Sequence, residues 1–93
     1  MNKLERAQVA ALAQHVRIPQ WAYGALTIKN LIWRLEQDPK AGLSPNEKYC
    51  LALCLWRYRR KLGGLVGFEL PKEEPLRSDF FPPRDATLQE SLL

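Results

Sequence analysis

Ser44-Pro45-Asn46-Glu47-Lys48-Tyr49-Cys50-Leu51-Ala52-Leu53-Cys54-Leu55-Trp56-Arg57-Tyr58-Arg59-Arg60-Lys61-Leu62-Gly63-Gly64 carries both a start and a stop signal for one helix. Ser44 is an N-cap residue, Pro45 has the fixed φ that suits a first helical position, and Glu47 stands where its carboxylate closes a capping box. At the other end Arg59, Arg60 and Lys61 favour the negative end of the helix dipole, and Gly63-Gly64 supplies the stop. The spacing predicts a helix over 45–62. Leu51, Leu55, Tyr58 and Leu62 form its main apolar stripe, while Tyr49, Leu53 and Trp56 line a second arc. Its first half is thus apolar nearly all round and must be covered on two sides, which makes it the central element of the fold.

On its N-terminal side, Asp38-Pro39-Lys40-Ala41-Gly42 breaks the periodicity with Pro and Gly. Before that break a second helix is predicted over about 20–37. Trp21, Ala25, Ile28, Ile32 and Leu35 recur at helical spacing with Leu31 beside them, and Gly24 weakens the first turn. Leu26 and Trp33 fall on the opposite side, so this helix has two apolar faces and needs a second partner. That partner is the 66–70 segment, the C-terminal tail, another protein or a homodimer mate. A first helix is predicted over 3–17: Asn2 caps it with Glu5 as capping-box partner, and Val9, Leu12, Ala13 and Val16 share one stripe before Pro19.

Beyond the glycines, Val66, Phe68 and Leu70 alternate with Gly67 and Glu69, which predicts a short extended segment over 65–70 laid against the helices. Residues 71–93 hold four prolines and little periodicity and read as an extended or disordered tail, anchored at Phe80-Phe81 before Pro82-Pro83. The expected fold class is all-α, a small three-helix domain over 1–70 with a Pro-rich C-terminal tail. With 46% hydrophobic residues, the chain is too apolar for wholesale disorder.

Charge is unevenly placed along the chain. Residues 1–70 hold eleven Lys/Arg against five Asp/Glu, a net of +6, and residues 71–93 hold three against five, a net of −2, which together give the overall +4. The longest apolar run, Tyr49 to Trp56, is far below the roughly 20 residues of a membrane span. The N-terminus leads into an Ala-rich amphipathic pattern rather than a signal-peptide core. A cytoplasmic protein without a membrane partner is expected. Cys50 and Cys54, four apart on a helix, lack the geometry a disulfide prefers and are expected reduced and packed.

Catalytic and metal chemistry find little to build on. The single histidine, His15, lies near a helix end, and with Cys50 and Cys54 it forms neither a paired Cys-x-x-Cys knuckle nor a complete zinc set. The glycines at 63, 64 and 67 follow a helix, not a strand, so no phosphate loop is formed. The chain is read as a non-enzyme without a cofactor.

Binding features are more numerous. Arg57, Arg60 and Lys61 lie opposite the main stripe of the third helix and are the candidate nucleic-acid contacts, with Arg34 or Lys29 as further cations. Leu26 and Trp33 are the candidate helical docking face, and Phe80 and Phe81 are candidate tail contacts. The last five residues, Gln89-Glu90-Ser91-Leu92-Leu93, resemble the short peptide by which bacterial proteins bind the sliding clamp of DNA replication. That motif is a glutamine followed by Leu, Ser or Asp, Leu, and Phe or Leu. The resemblance implies that Gln89 hydrogen-bonds in the clamp's cleft and that Leu92 and Leu93 fill its hydrophobic pocket; Glu90 stands where the motif usually has Leu. The functional expectation is a small protein-interaction module, an adaptor or inhibitor of a larger bacterial or phage machine. A basic helical nucleic-acid-binding protein and an obligate homodimer are the alternatives.

Overall fold

The computed structural model describes residues 1–81. The chain forms three helices of equal length, α1 (Lys3–His15), α2 (Ala25–Gln37) and α3 (Pro45–Arg57), then a single turn α4 (Arg59–Leu62) and a 3-10 turn at Arg77–Asp79. Each long helix packs on the other two. No strand occurs among the described residues, and the fold class is all-α as the periodicity predicts.

Both predicted capping boxes form. Asn2 Oδ1 accepts from the Glu5 amide at 2.7 Å while the Asn2 amide donates to Glu5 Oε1 at 2.9 Å. At α3, Ser44 Oγ accepts from the Glu47 amide at 3.2 Å and the Ser44 amide donates to Glu47 Oε1 at 2.8 Å. Each box satisfies amides that a helix start otherwise leaves without partners. Glu47 does more than cap, because its second carboxylate oxygen pairs with Arg34 from the end of α2. Arg34 also reaches the Gly42 carbonyl at 3.4 Å. One guanidinium therefore ties α2, the connecting loop and the first turn of α3 together.

The core is made by Val9, Ala11 and Leu12 of α1, Ile28 and Leu31 of α2, and Cys50, Leu51, Cys54 and Leu55 of α3, closed by Leu62 and Met1. Burying aliphatic side chains of this size contributes about 1.5–3 kcal/mol each before the entropy of ordering is counted. Met1 is held in place as its amino group donates to the Ala41 carbonyl. Val66, Phe68 and Leu70 pack on this core while Leu65, Gly67 and Glu69 face solvent. The alternation seen in the sequence holds for burial, but the backbone turns at Leu65 and bends at Gly67-Phe68 rather than running extended as expected.

Several expectations are corrected. The first helix ends at His15, since Val16 is already extended (φ −124°, ψ 137°), as suits a β-branched residue two before the Ile18-Pro19 pair. Ala11, not Ala13, takes the buried position of its stripe. The second helix begins at Ala25 rather than Gln20. Pro19 to Ala25 turns back on itself through Ala22 N–H to Pro19 carbonyl and Ala25 N–H to Ala22 carbonyl bonds of 3.1 Å each, and Gly24 takes the left-handed conformation at φ +79°. Trp21, expected in the α2 stripe, is consequently outside the helix and 87% exposed.

The third helix breaks at Tyr58. There the Trp56 carbonyl accepts from Arg59 Nη1 at 2.8 Å, and the same guanidinium lies 4.6 Å over the Trp56 indole. That side-chain bond gives the carbonyl a close donor at the break, and α4 then ends at Gly63 with Gly64 at φ +84°. Residues 71–81, read as an extended tail with an anchor at Phe80-Phe81, do return to the helices at that anchor: the Phe80 ring lies 5.8 Å from that of Tyr49 on α3.

Candidate interaction surfaces

α2 presents its two faces very differently. Ile28 and Leu31 are 2% and 0% exposed, whereas Leu26 is 81% and Trp33 60% exposed. Leu26 and Trp33 are seven residues apart, so they stand two turns apart on the same line of the helix. Asn30 lies between them, with Lys29 on the flank, both exposed. The 66–70 segment, one of the covers expected from sequence, packs on the core instead and leaves this row in solvent.

A second surface gathers at the C-terminal end of α3. Arg57 closes α3 and Arg60 and Lys61 follow on α4, all three exposed. Arg57 also reaches back to donate to the Tyr23 carbonyl at 3.4 Å. The Pro19–Gly24 turn thus sits beside α3, and Trp21, Tyr23, Arg57 and Tyr58 line a recess of about 320 Å³. The helical spacing of Trp21 points to the core and gives no sign of these cations; Gly24, the left-handed residue that precedes the helix, is the signal that Trp21 stands apart. Arg34 does not join this patch because its guanidinium is committed to Glu47, and Arg59 is stacked on Trp56.

Comparison with protein-family models, with curated proteins and with solved structures returns no match. Gln89, Leu92 and Leu93, the clamp-motif residues, lie outside the described residues. Phe80 and Phe81 are half-buried, Phe80 against Tyr49 and Phe81 with the Arg77 guanidinium 4.5 Å over its ring.

His15 is the last residue of α1 and half-buried. Among the described residues no three His, Cys, Asp or Glu side chains converge as a metal-binding group, and no helix is long and apolar enough to cross a membrane. Cys50 and Cys54 are free thiols, both buried in the core one turn apart on α3.

Burial is the main cause that lifts the Cys54 thiol from 9.0 to about 11; nearby Arg57 opposes the rise and Cys50 adds to it. The folded chain therefore retains a proton that the unfolded chain releases between those two values. Stability is unaffected by this thiol below about pH 9 and falls as pH rises toward 11. Urea midpoints measured at about pH 8 and about pH 10.5, on either side of the unfolded thiol's titration, are expected to drop more for the wild type than for Cys54→Ala, which lacks the titrating group. Equal drops would mean that Cys54 ionises as easily folded as unfolded.

Proposed function

We propose that this chain is a non-catalytic protein-interaction module, an adaptor or inhibitor of a larger protein assembly, that docks through the Leu26–Trp33 row of α2. The observation that carries this reading is an exposed Leu and an exposed Trp in register on a helix whose opposite face is fully buried. An indole held on a helix is a low-entropy anchor, and residues of this kind dominate binding energy when a partner's pocket covers them. Two anchors two turns apart suit an apolar groove on the partner that is about 10 Å long. The clamp contact implied by Gln89, Leu92 and Leu93 belongs to the same reading as a second attachment point.

The test compares tagged wild type, the double variant Leu26→Asp/Trp33→Asp and a chain ending at Leu88 in quantitative affinity capture. Circular dichroism checks that each variant folds. Loss of a captured protein from the double variant, at unchanged melting temperature, supports the α2 row; loss of a sliding-clamp subunit from the truncation alone supports the terminal peptide. An unchanged partner set for both variants discards the proposal.

One grouping favours a second reading as a nucleic-acid-binding protein. Trp21 and Tyr23 lie beside Arg57, with Arg60 and Lys61 on the next turn, and stacking platforms bordered by cations suit single strands. Such binding weakens steeply as salt rises, because counterions are released at each phosphate contact. Salt-insensitive or absent binding to an oligonucleotide removes this reading. A homodimer through the α2 row, the remaining alternative, is decided by light scattering.

A further inference from the structure

We propose that a groove between α1, α3 and the 69–80 strap is a second docking site, for a basic, apolar-anchored segment of a partner protein. The groove encloses about 890 Å³. Its floor is apolar, formed by Leu51, Ala52 and Leu55 of α3 together with Leu70 and Phe80 of the strap. Its border is acidic: Glu5, Glu69, Glu73, Glu74 and Asp79 stand against Lys48 and Lys72. Five carboxylates to two ammonium groups is a local reversal in a chain whose net charge is +4.

Glu69, Glu73 and Glu74 are open to a ligand, whereas Glu5 and Asp79 each already accept a backbone amide, from Asn2 and from Leu76. The one ion pair among the described residues is Arg34–Glu47, so no described cation stands in salt-bridge contact with the groove's acids. Glu69, Glu73 and Glu74 are all exposed. The strap is tied to α3 at its far end by the Phe80–Tyr49 ring contact. An apolar floor with a one-signed border selects an occupant that pairs hydrophobic anchors with the opposite charge.

The chain's own residues 82–93 do not have that chemistry, with Arg84 against Asp85 and Glu90 for a net of −1. A segment carrying two or three leucines or aromatics interleaved with Lys or Arg does. No α2 residue lines the groove, so this site goes beyond the Leu26–Trp33 reading and stands or falls independently of it.

The experiment titrates the full ¹⁵N-labelled chain with a synthetic peptide of about 14 residues, roughly four helical turns, with leucine and lysine in amphipathic order. Two control peptides replace its lysines with glutamates or its leucines with serines. The expected result is amide shifts at Ala52, Leu55, Leu70 and Phe80 with the first peptide and much weaker ones with either control. Glu69→Lys/Glu73→Lys/Glu74→Lys, at three solvent-facing positions, is expected to weaken binding at least about tenfold through three lost charge contacts, while its circular dichroism stays that of the wild type. Ala52→Gln, which intrudes on the floor from a half-buried position, gives a second handle should the triple variant misfold. Three results overturn the proposal. The first is shifts confined to the Leu26–Trp33 face, and the second is equal binding of the serine control. The third is contact of residues 82–93, or of a second copy of the chain, with Leu70 and Phe80 in the peptide-free protein.

Discussion

Leu62→Ala is expected to cost about 3 kcal/mol, within the roughly 2–5 kcal/mol range for emptying a buried leucine site. Leu62 is 0% exposed although it closes a helix of only four residues. The turn after Tyr58 has no length to stabilise itself, since isolated helices this short do not form in water. Its stability therefore comes from the core through this one side chain. A small domain has about 5–15 kcal/mol in all, with short chains near the lower end, so the substitution removes a large share and the urea midpoint should fall accordingly. Leu65→Ala, three residues on and 56% exposed, is the control and should stay within about 0.5 kcal/mol. A cost for Leu62→Ala below about 1 kcal/mol, less than a buried leucine site carries, would mean that α4 is not docked and that the Arg57–Lys61 cations are not held in one place.

The helix ends that are legible in the sequence are those decided by neighbours in the chain. Asn2 with Glu5 and Ser44 with Glu47 form their capping boxes over three residues, and Gly63-Gly64 ends α4 by backbone conformation alone. The departures come from contacts between residues far apart in sequence. Arg34 has no local reason to leave the basic patch; it does so because the fold brings Glu47, thirteen residues on, to its side. Trp21 fits the helical stripe by spacing, yet the Pro19–Gly24 turn, braced by Arg57 thirty-four residues from Tyr23, takes it out.

The candidate surfaces divide the same way. The exposed row of Leu26 and Trp33 follows from periodicity, because a helix with apolar residues on both sides can give only one side to a small core. The groove does not follow, since it exists only when the Pro-rich strap returns to α3 through Phe80 and Tyr49. The aromatic pair Phe80-Phe81 marks an anchor in residues 71–81 but not the site on α3 that receives it. Nor does spacing show that Glu69, Glu73 and Glu74 border the same concavity as Glu5 at the other end of the chain.

Gly24→Val is the second substitution expected to be severe, at about 3 kcal/mol, from two separable causes. Gly24 holds φ +79°, a conformation that costs an L-residue roughly 1–2 kcal/mol and a β-branched one more. In addition, a Cβ placed there would lie 3.3 Å from Cys50 Sγ and 3.4 Å from Cys50 Cβ, inside a core that has little room to yield. Gly64 separates the causes, because it holds φ +84° and a Cβ at that position would meet nothing within 4 Å. Gly64→Ala should carry the backbone cost alone, about 1 kcal/mol, and Gly64→Asn less still, since asparagine tolerates the left-handed region. At position 24 asparagine should relieve only the backbone part, because its Cβ meets Cys50 as any other would. Chemical denaturation of the four variants checks the order. If Gly24→Asn is as mild as Gly64→Asn, the approach to Cys50 is not a constraint, and the Pro19–Gly24 turn that presents Trp21 beside Arg57 is set by backbone conformation alone.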